Sequence, residues 1–270
     1  MNPAPQAGNS EFPYWLIAMI MLGIAAALFI ANSDMYRQIS ATVSKGLLVT
    51  IGVTLFSFFA ASLAGLLIAL AALSNYRWLR QSARFYVEFV RGIPIIVLLF
   101  YIAFVGAPAL VTLFNWILGP VHRAGWLEPA IVRDFPLLWR AIFALTIGYS
   151  AFISEVFRAG ILSVEKGQIE AATALGLTGT QRFRFIIFPQ AIRTILPPLG
   201  NDFIALVKDS SLVSVLGVAD VAQMGKLYAA GSFRFMETYN VVAYFYLIMT
   251  ISLSMALRGL EQHMRQKGQS

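Results

Sequence analysis

The sequence predicts an all-α polytopic membrane protein with about six transmembrane helices. Three observations carry that prediction. Of 270 residues, 59% are hydrophobic and 12% charged, with a mean hydropathy of +0.73, a composition outside that of soluble globular domains. The apolar residues are gathered into runs of about the length that crosses a hydrocarbon layer as a helix. The Lys and Arg side chains fall mostly between those runs, where they meet lipid phosphate. That placement also excludes nucleic acid as a partner, although the net charge is +7 and the pI about 9.8. The chain has no cysteine, so disulfides, thiolate metal sites and cysteine nucleophiles are ruled out.

Residues 1–13 form a short Pro/Asn/Gly tail, and 14–31 form an uninterrupted apolar run that reads as an additional N-terminal transmembrane helix. A cleaved signal peptide is the alternative, but the tail has no Lys or Arg and the run is long for such a segment. The second span is 47–73. Thr50, Thr54, Ser57, Ala61 and Gly65 recur there at steps of four, three, four and four, which places small and hydroxyl side chains on one face, as helices in close contact require. Chance scatter in an alanine-rich helix is the competing reading. A basic linker, 74–92, then carries Arg77, Arg80, Arg84 and Arg91 against one acid, Glu88. The third span starts at Ile93 and ends near Val105, or near Leu118 if Pro108 only kinks it. A polar connection, 119–140, precedes the fourth span at about 141–157. The fifth span is 199–218 and the sixth is 239–257, followed by a basic tail at 259–270.

Orientation follows the Lys/Arg bias of the connections. The linker 74–92 holds four, 158–198 five and the C-terminal end three, against two, three and two on the opposite side, with Lys208 inside a span. The surplus places 158–198 and both termini in the cytoplasm.

The segment Glu170–Pro198 neither spans a bilayer nor forms a domain. Its opening "EAATALG" is made of good helix formers closed by a glycine, the usual stop. Ala171 and Ala172 have little bulk, so another surface can come close, and Glu170 near the helix start suits the dipole. "TQRFRFIIF" mixes Arg182 and Arg184 with aromatic and aliphatic residues, as in backbone lying along a lipid interface. Pro189, Pro197 and Pro198 are expected to break the chain before the next span.

The spacing Glu170-Ala171-Ala172, three residues, Gly176, nine residues, Ile186, one residue, Phe188-Pro189 resembles the EAA loop of the membrane-spanning subunits of ABC importers. Phe188 departs from the leucine usual there. "RGIP" at Arg91–Pro94, the phrase Ser154–Leu177 and the phrase Phe188–Asp220 resemble the polar amino acid branch of that family, and the likeness covers about 45–258. It implies a type I importer permease fold with a five-helix core, a transmembrane domain at 45–258 and a cytoplasmic coupling loop at 158–198. It further implies that Glu170, Ala171, Ala172, Gly176, Ile186 and Pro189 couple the chain to a cytoplasmic ATPase subunit, which would bind the ATP. The other implied partners are a second permease subunit, identical or similar, and a periplasmic or lipid-anchored substrate-binding protein. The implied location is a bacterial inner membrane.

Asn201 and Lys208 are seven apart, as are Asp202 and Asp209, so each pair shares a helix face. With Glu155, the residues Asn201, Asp202 and Lys208 are candidates for a substrate path, since a carboxylate and a cation meet opposite ends of an amino acid. Internal ion pairs that position helices are the equal alternative. Asp209 with Ser210 and Ser211 is expected to satisfy backbone at a helix break. No phosphate-binding Gly-x4-Gly-Lys-Ser/Thr loop occurs. His122 and His263 lack ligand-spaced companions and read as surface residues, so no metal site or cofactor is expected. Ser154 and Glu155 have no histidine partner for nucleophilic catalysis. The rival function is an ion-coupled secondary amino acid carrier, which would have inverted repeats and no coupling helix.

Overall fold

The structure is a computed structural model and describes residues 14–266; the tail up to residue 13, the last four residues and the side chains of Leu16 and of 263–266, His263 among them, lie outside the described residues. Among the described residues the chain is helical with no strand. Helix α1 is Tyr14–Asn32, and α2 (Asp34–Val43) runs through one 3₁₀ turn, Ser44–Gly46, into α3 (Leu47–Ala72). Helix α4 is Arg77–Arg91. Helices α5 (Ile95–Tyr101) and α6 (Ala107–Ile117) are joined by a π turn at Ile102–Gly106, and α7 is Gly119–Arg123. Then come α8 (Leu137–Leu162), α9 (Lys166–Ala174) and α10 (Gly179–Arg182), with a second π turn, Phe183–Ile187, leading into α11 (Phe188–Asp209). A 3₁₀ segment, Ser210–Leu216, precedes α12 (Val221–Ser232) and α13 (Phe235–Gln266).

Among the described residues four helical stretches are long and apolar enough to cross a membrane: Asp34–Ala72, Ile95–Ile117, Leu137–Leu162 and Phe235–Gln262. The two other expected spans are also helices. α1 has a shorter apolar stretch, Ile17–Asn32, and α11, at 22 residues, is diluted by prolines and polar side chains.

The stripe on α3 is buried from Thr50 to Gly65, so it is a contact face and not scatter. Ser57 Oγ donates to the Ile142 carbonyl at 3.4 Å. A Cβ on Gly65 would stand 3.0 Å from Ile153 Cγ2 and from the Ser150 carbonyl oxygen, so only glycine lets the backbones approach this closely. Rising residue numbers meet rising numbers here, so α3 and α8 run parallel. Helix α5 runs antiparallel to α8, since Ala103 meets Arg140 and Leu98 meets Gly148, and α11 runs antiparallel to α8, since Ile195 meets Gly160 and Asp209 meets Tyr149; α13 runs back along α11, with Tyr246 at Asp220 and Leu257 at Gly200. The core between them is aliphatic, with Val53, Leu99, Leu145, Ile153 and Leu206 shielded from solvent. Arg258 lies over the Trp15 ring at 4.7 Å, so the start of α1 and the end of α13 share the α9 side.

Several expectations are corrected. The basic linker 74–92 is largely a helix of 15 residues, α4, because Ala83, Val87 and Val90 recur at helical spacing and bury one face. Of the two ends expected for the third span the later one holds, since the helix continues past Pro108 to Ile117, with the π turn ending two residues before the proline. There Arg140, only 7% exposed, donates Nη1 to the Ala103 carbonyl at 3.1 Å, Nε to Phe135 at 2.7 Å and Nη2 to Val132. The fourth span extends to 137–162, longer than expected.

The segment after α9 does not lie as irregular backbone, and its prolines do not break it. Pro189 stands in the first turn of α11, directly after the π turn Phe183–Ile187. Pro197 and Pro198 sit inside the helix and forgo bonds to the carbonyls of Arg193 and Thr194, both exposed residues, where other partners can replace the lost donors. The helix that holds the expected fifth span therefore begins well before Leu199 and closes in a 3₁₀ segment stopped by Gly217 at φ 82°. The C-terminal tail is helical to Gln266.

Candidate functional site

Helix α9 is exposed along most of its length and held at both ends. Its C-terminus is a Schellman motif: the Leu177 N–H reaches back to the Ala172 carbonyl at 3.1 Å and the Gly176 N–H to Thr173 at 2.9 Å. Gly176 takes φ 79° to close it, a conformation that a Cβ disfavours. Two residues later Thr178 caps α10 in a capping box, its N–H donating to Gln181 Oε1 at 2.9 Å and its Oγ1 accepting from the Gln181 N–H at 3.4 Å. "ALGLTGTQ" therefore encodes a stiff corner.

Cross-links fix that corner to the next helix. Arg182 donates to Thr173 Oγ1, and Gln190 Nε2 donates to Gln168 Oε1 at 2.5 Å and to the Ile186 carbonyl at 3.0 Å. Beneath, Ser163 Oγ contacts Thr194 Oγ1 at 3.3 Å. A Cβ on Gly160 would lie 2.2 Å from Ile195 Cγ1, so α8 and α11 nearly touch there. α9 and the lower part of α11 are thus tied together as one lever.

The coupling residues divide on this geometry. Glu170 and Ala171 are exposed, whereas Ala172 is 4% exposed and packs inward. Gly176 shapes the corner, Ile186 lies half-buried in the second π turn, and Pro189 begins α11. Glu170 is not near the helix start, because α9 begins four residues earlier at Lys166, so the dipole argument does not apply to it. Sequence reasoning missed Leu175, which stands 80% exposed at the tip of α9; a leucine just before a stop glycine on a polar helix was the available signal.

The wedge on α11 splits into two faces. Asn201 and Lys208 are exposed. Asp202 and Asp209 are half-buried: Tyr149 Oη on α8 donates to Asp209 Oδ2 at 2.7 Å, while Asp202 Oδ2 is buried without a hydrogen-bond partner. Asp209 therefore pairs with a neighbouring span, and of the three residues expected to satisfy backbone at the helix break it is Ser210 that does so, its Oγ donating to the Val207 carbonyl at 2.7 Å. Glu155 is engaged on its own helix by Arg158, with Nη2 to Oε2 at 2.6 Å and Nε to Oε1 at 3.1 Å, so its carboxylate already has a cationic partner within the chain. His122 turns Nδ1 to the Leu127 carbonyl at 2.8 Å. No group of three or more His, Cys, Asp or Glu stands ready for a metal among the described residues.

A second polar centre lies on the opposite side of the molecule from α9. Asp220 is 0% exposed, accepting from the Gln223 N–H at 2.8 Å and from Tyr246 Oη at 3.1 Å, while the Val221 N–H donates to Thr50 Oγ1 at 3.1 Å. Burial raises the Asp220 carboxyl above its ordinary range, and those hydrogen bonds offset part of the rise. The Asp220-x-x-Gln223 spacing is a helix-start signature that could have revealed it.

Residues 61–267 match the model of the binding-protein-dependent transport system inner membrane component. The glutamine transport system permease protein of Escherichia coli K12 is 39% identical over 180 residues, 67% of this chain and 73% of that one. The crystal structure of an amino acid ABC transporter with histidines superposes with a TM-score of 0.71 at 32% identity, over 86% of this chain and 99% of that one. An inward-facing methionine ABC transporter shares the fold with a TM-score of 0.64 at 21% identity, over the same shares of the two chains. The matched region takes in the small-residue stripe from Ala61 onward, the α9 corner and the α11 wedge, and the chain belongs to the family of binding-protein-dependent transport system inner membrane components.

Proposed function

We propose that this chain is the membrane-spanning subunit of an ABC importer for polar amino acids, driven by ATP that a separate cytoplasmic ATPase subunit hydrolyses. The observation that carries the proposal is α9: a short, exposed helix fastened by its corner and by Arg182 and Gln190 to the foot of a span. A push on α9 is delivered to α11 without slack, since the Schellman turn and capping box leave no loose residue between them. α11 then moves against α8 at Gly160 and carries the Asp202–Asp209 face with it.

In this reading the α9 side faces the cytoplasm, both termini lie there, and Glu170, Ala171 and Leu175 form the surface that enters a cleft of the ATPase. Asp202, with its buried oxygen unpaired within the chain, is the wedge residue best suited to receive a substrate ammonium group. A second permease subunit completes the path, and a substrate-binding protein loads it from outside.

The test is uptake of labelled polar amino acids into proteoliposomes holding the chain with the subunits that co-purify. Uptake should require ATP, and Gly176→Pro, whose φ near −65° cannot meet the observed 79°, should abolish uptake while the spans stay folded. Uptake driven by an ion gradient without ATP would overturn the proposal in favour of a secondary carrier.

A further inference from the structure

Helix α4 has three faces, and the chain itself covers one. Ala83, Val87 and Val90 are buried where the helix packs on α3 and α8, and Tyr86 Oη bonds to Ser150 Oγ at 2.7 Å and to the Ile147 carbonyl at 3.1 Å. Trp78, Phe85 and Phe89 form a second face, 69%, 71% and 58% exposed, with the two phenylalanine rings stacked at 5.8 Å. At about 100° per residue that row stands roughly 140° round the helix from the buried one. The third face carries Arg77 and Arg84, seven residues apart and so on one edge, with the exposed Glu88 beside them, four residues after Arg84.

Four arginines occupy α4 against one acid, Glu88. Arg80 is committed to the Ser74 carbonyl at 3.1 Å and Arg91 lies over the Phe152 ring at 5.5 Å. Arg77 and Arg84 are exposed and make no hydrogen bond or ion pair among the described residues, although Arg84 is near enough to Glu155 on α8 to act on it through space. The helix also begins five residues after α3 ends and finishes four before α5 begins, which places it where two spans meet the membrane boundary. Water is a poor solvent for a row of three aromatic rings, and a cationic edge beside that row matches acyl chains next to phosphate.

We propose that α4 is a binding site for anionic phospholipid, with Arg77 and Arg84 holding headgroup phosphates and Trp78, Phe85 and Phe89 lying among the acyl chains. The site does not depend on the transport reading. The experiment reconstitutes the full chain in nanodiscs of phosphatidylcholine with rising phosphatidylglycerol. The lipid retained is measured by mass spectrometry, and a photoactivatable phosphatidylglycerol is mapped on the chain. The wild type should enrich phosphatidylglycerol, with adducts in 77–91. One surface cation contributes about fivefold to anionic-lipid binding, so R77Q/R84Q should lose roughly 30-fold of that preference. R77K/R84K, which keeps the charge, should retain most of it, and equal melting temperatures of the three chains would exclude a folding defect. An unchanged preference in R77Q/R84Q overturns the proposal. So do adducts confined to other helices, or a photocross-link from α4 to a second copy with no lipid adduct there.

Discussion

Gly46 sits in the 3₁₀ turn between α2 and α3, directly against the backbone before α12. The Cβ of Gly46→Ala would lie 2.3 Å from the Asp220 carbonyl carbon, 2.4 Å from Val221 N and 2.5 Å from the Asp220 oxygen. Carbon atoms rest about 3.5–4.0 Å apart, so one backbone must retreat by about 1 Å. Neither is free to do so: Asp220 is held by Gln223 and Tyr246, and Val221 by Thr50. Overpacking against rigid atoms costs about 1–3 kcal/mol, and losing the Thr50–Val221 bond adds about 1 kcal/mol. The better helix propensity of alanine returns up to about 1 kcal/mol. The net loss is about 3 kcal/mol at the upper end of the clash range, or roughly 6–12 °C in melting temperature for a chain of this size. Tryptophan fluorescence melts in detergent measure it, with Gly52→Ala as control, since nothing lies within 4 Å of a Cβ at Gly52. The control should melt at or slightly above the wild type. A Gly46→Ala chain that melts with the control refutes the packing at Asp220.

The other predictions concern the lever and the wedge. Gly160→Ala presses on a side chain and not on backbone, Ile195 Cγ1 at 2.2 Å and Cδ1 at 2.9 Å, so it should cost about 1–2 kcal/mol. In a double-mutant cycle with Ile195→Ala the pair should be less destabilised than the sum by about 1 kcal/mol; strict additivity would deny the contact. Tyr149→Phe leaves Asp209 without its 2.7 Å donor and should lower stability by about 1–3 kcal/mol. The exposed Lys208→Gln should stay within about 0.5 kcal/mol of the wild type, and the reverse order in thermal melts would exchange the two faces of α11.

Patterns carried by one helix were legible in the sequence, and contacts across the chain were not. The Thr50–Gly65 stripe announced its packing because the period and the small side chains lie on a single helix. The stop at Gly176 was legible for the same reason, although the start of α9 was read four residues late, since Lys166-Gly167-Gln168 is a weak helix former. α4 was read as linker because its arginines lower the hydropathy, although Ala83, Val87 and Val90 already carried the period. The prolines of α11 misled because propensity is local, whereas that helix is held by Ser163, Gly160 and Leu257 from other spans. The contact of Gly46 with Asp220 joins residues far apart along the chain, and no spacing rule could foresee it. The wedge was read correctly as two faces, but its pairing to Tyr149 depended on how α8 lies.

The most direct test of the central claim uses the absence of native cysteine. A single cysteine in Ala171→Cys, on the exposed side of α9, would be labelled with a photoactivatable probe in native membranes and its adduct identified by mass spectrometry. The account predicts a cross-link to a cytoplasmic protein with an ATP-binding phosphate loop, lost in Ala171→Cys/Glu170→Arg. A probe that captures only lipid or solvent, while uptake proceeds, would contradict it.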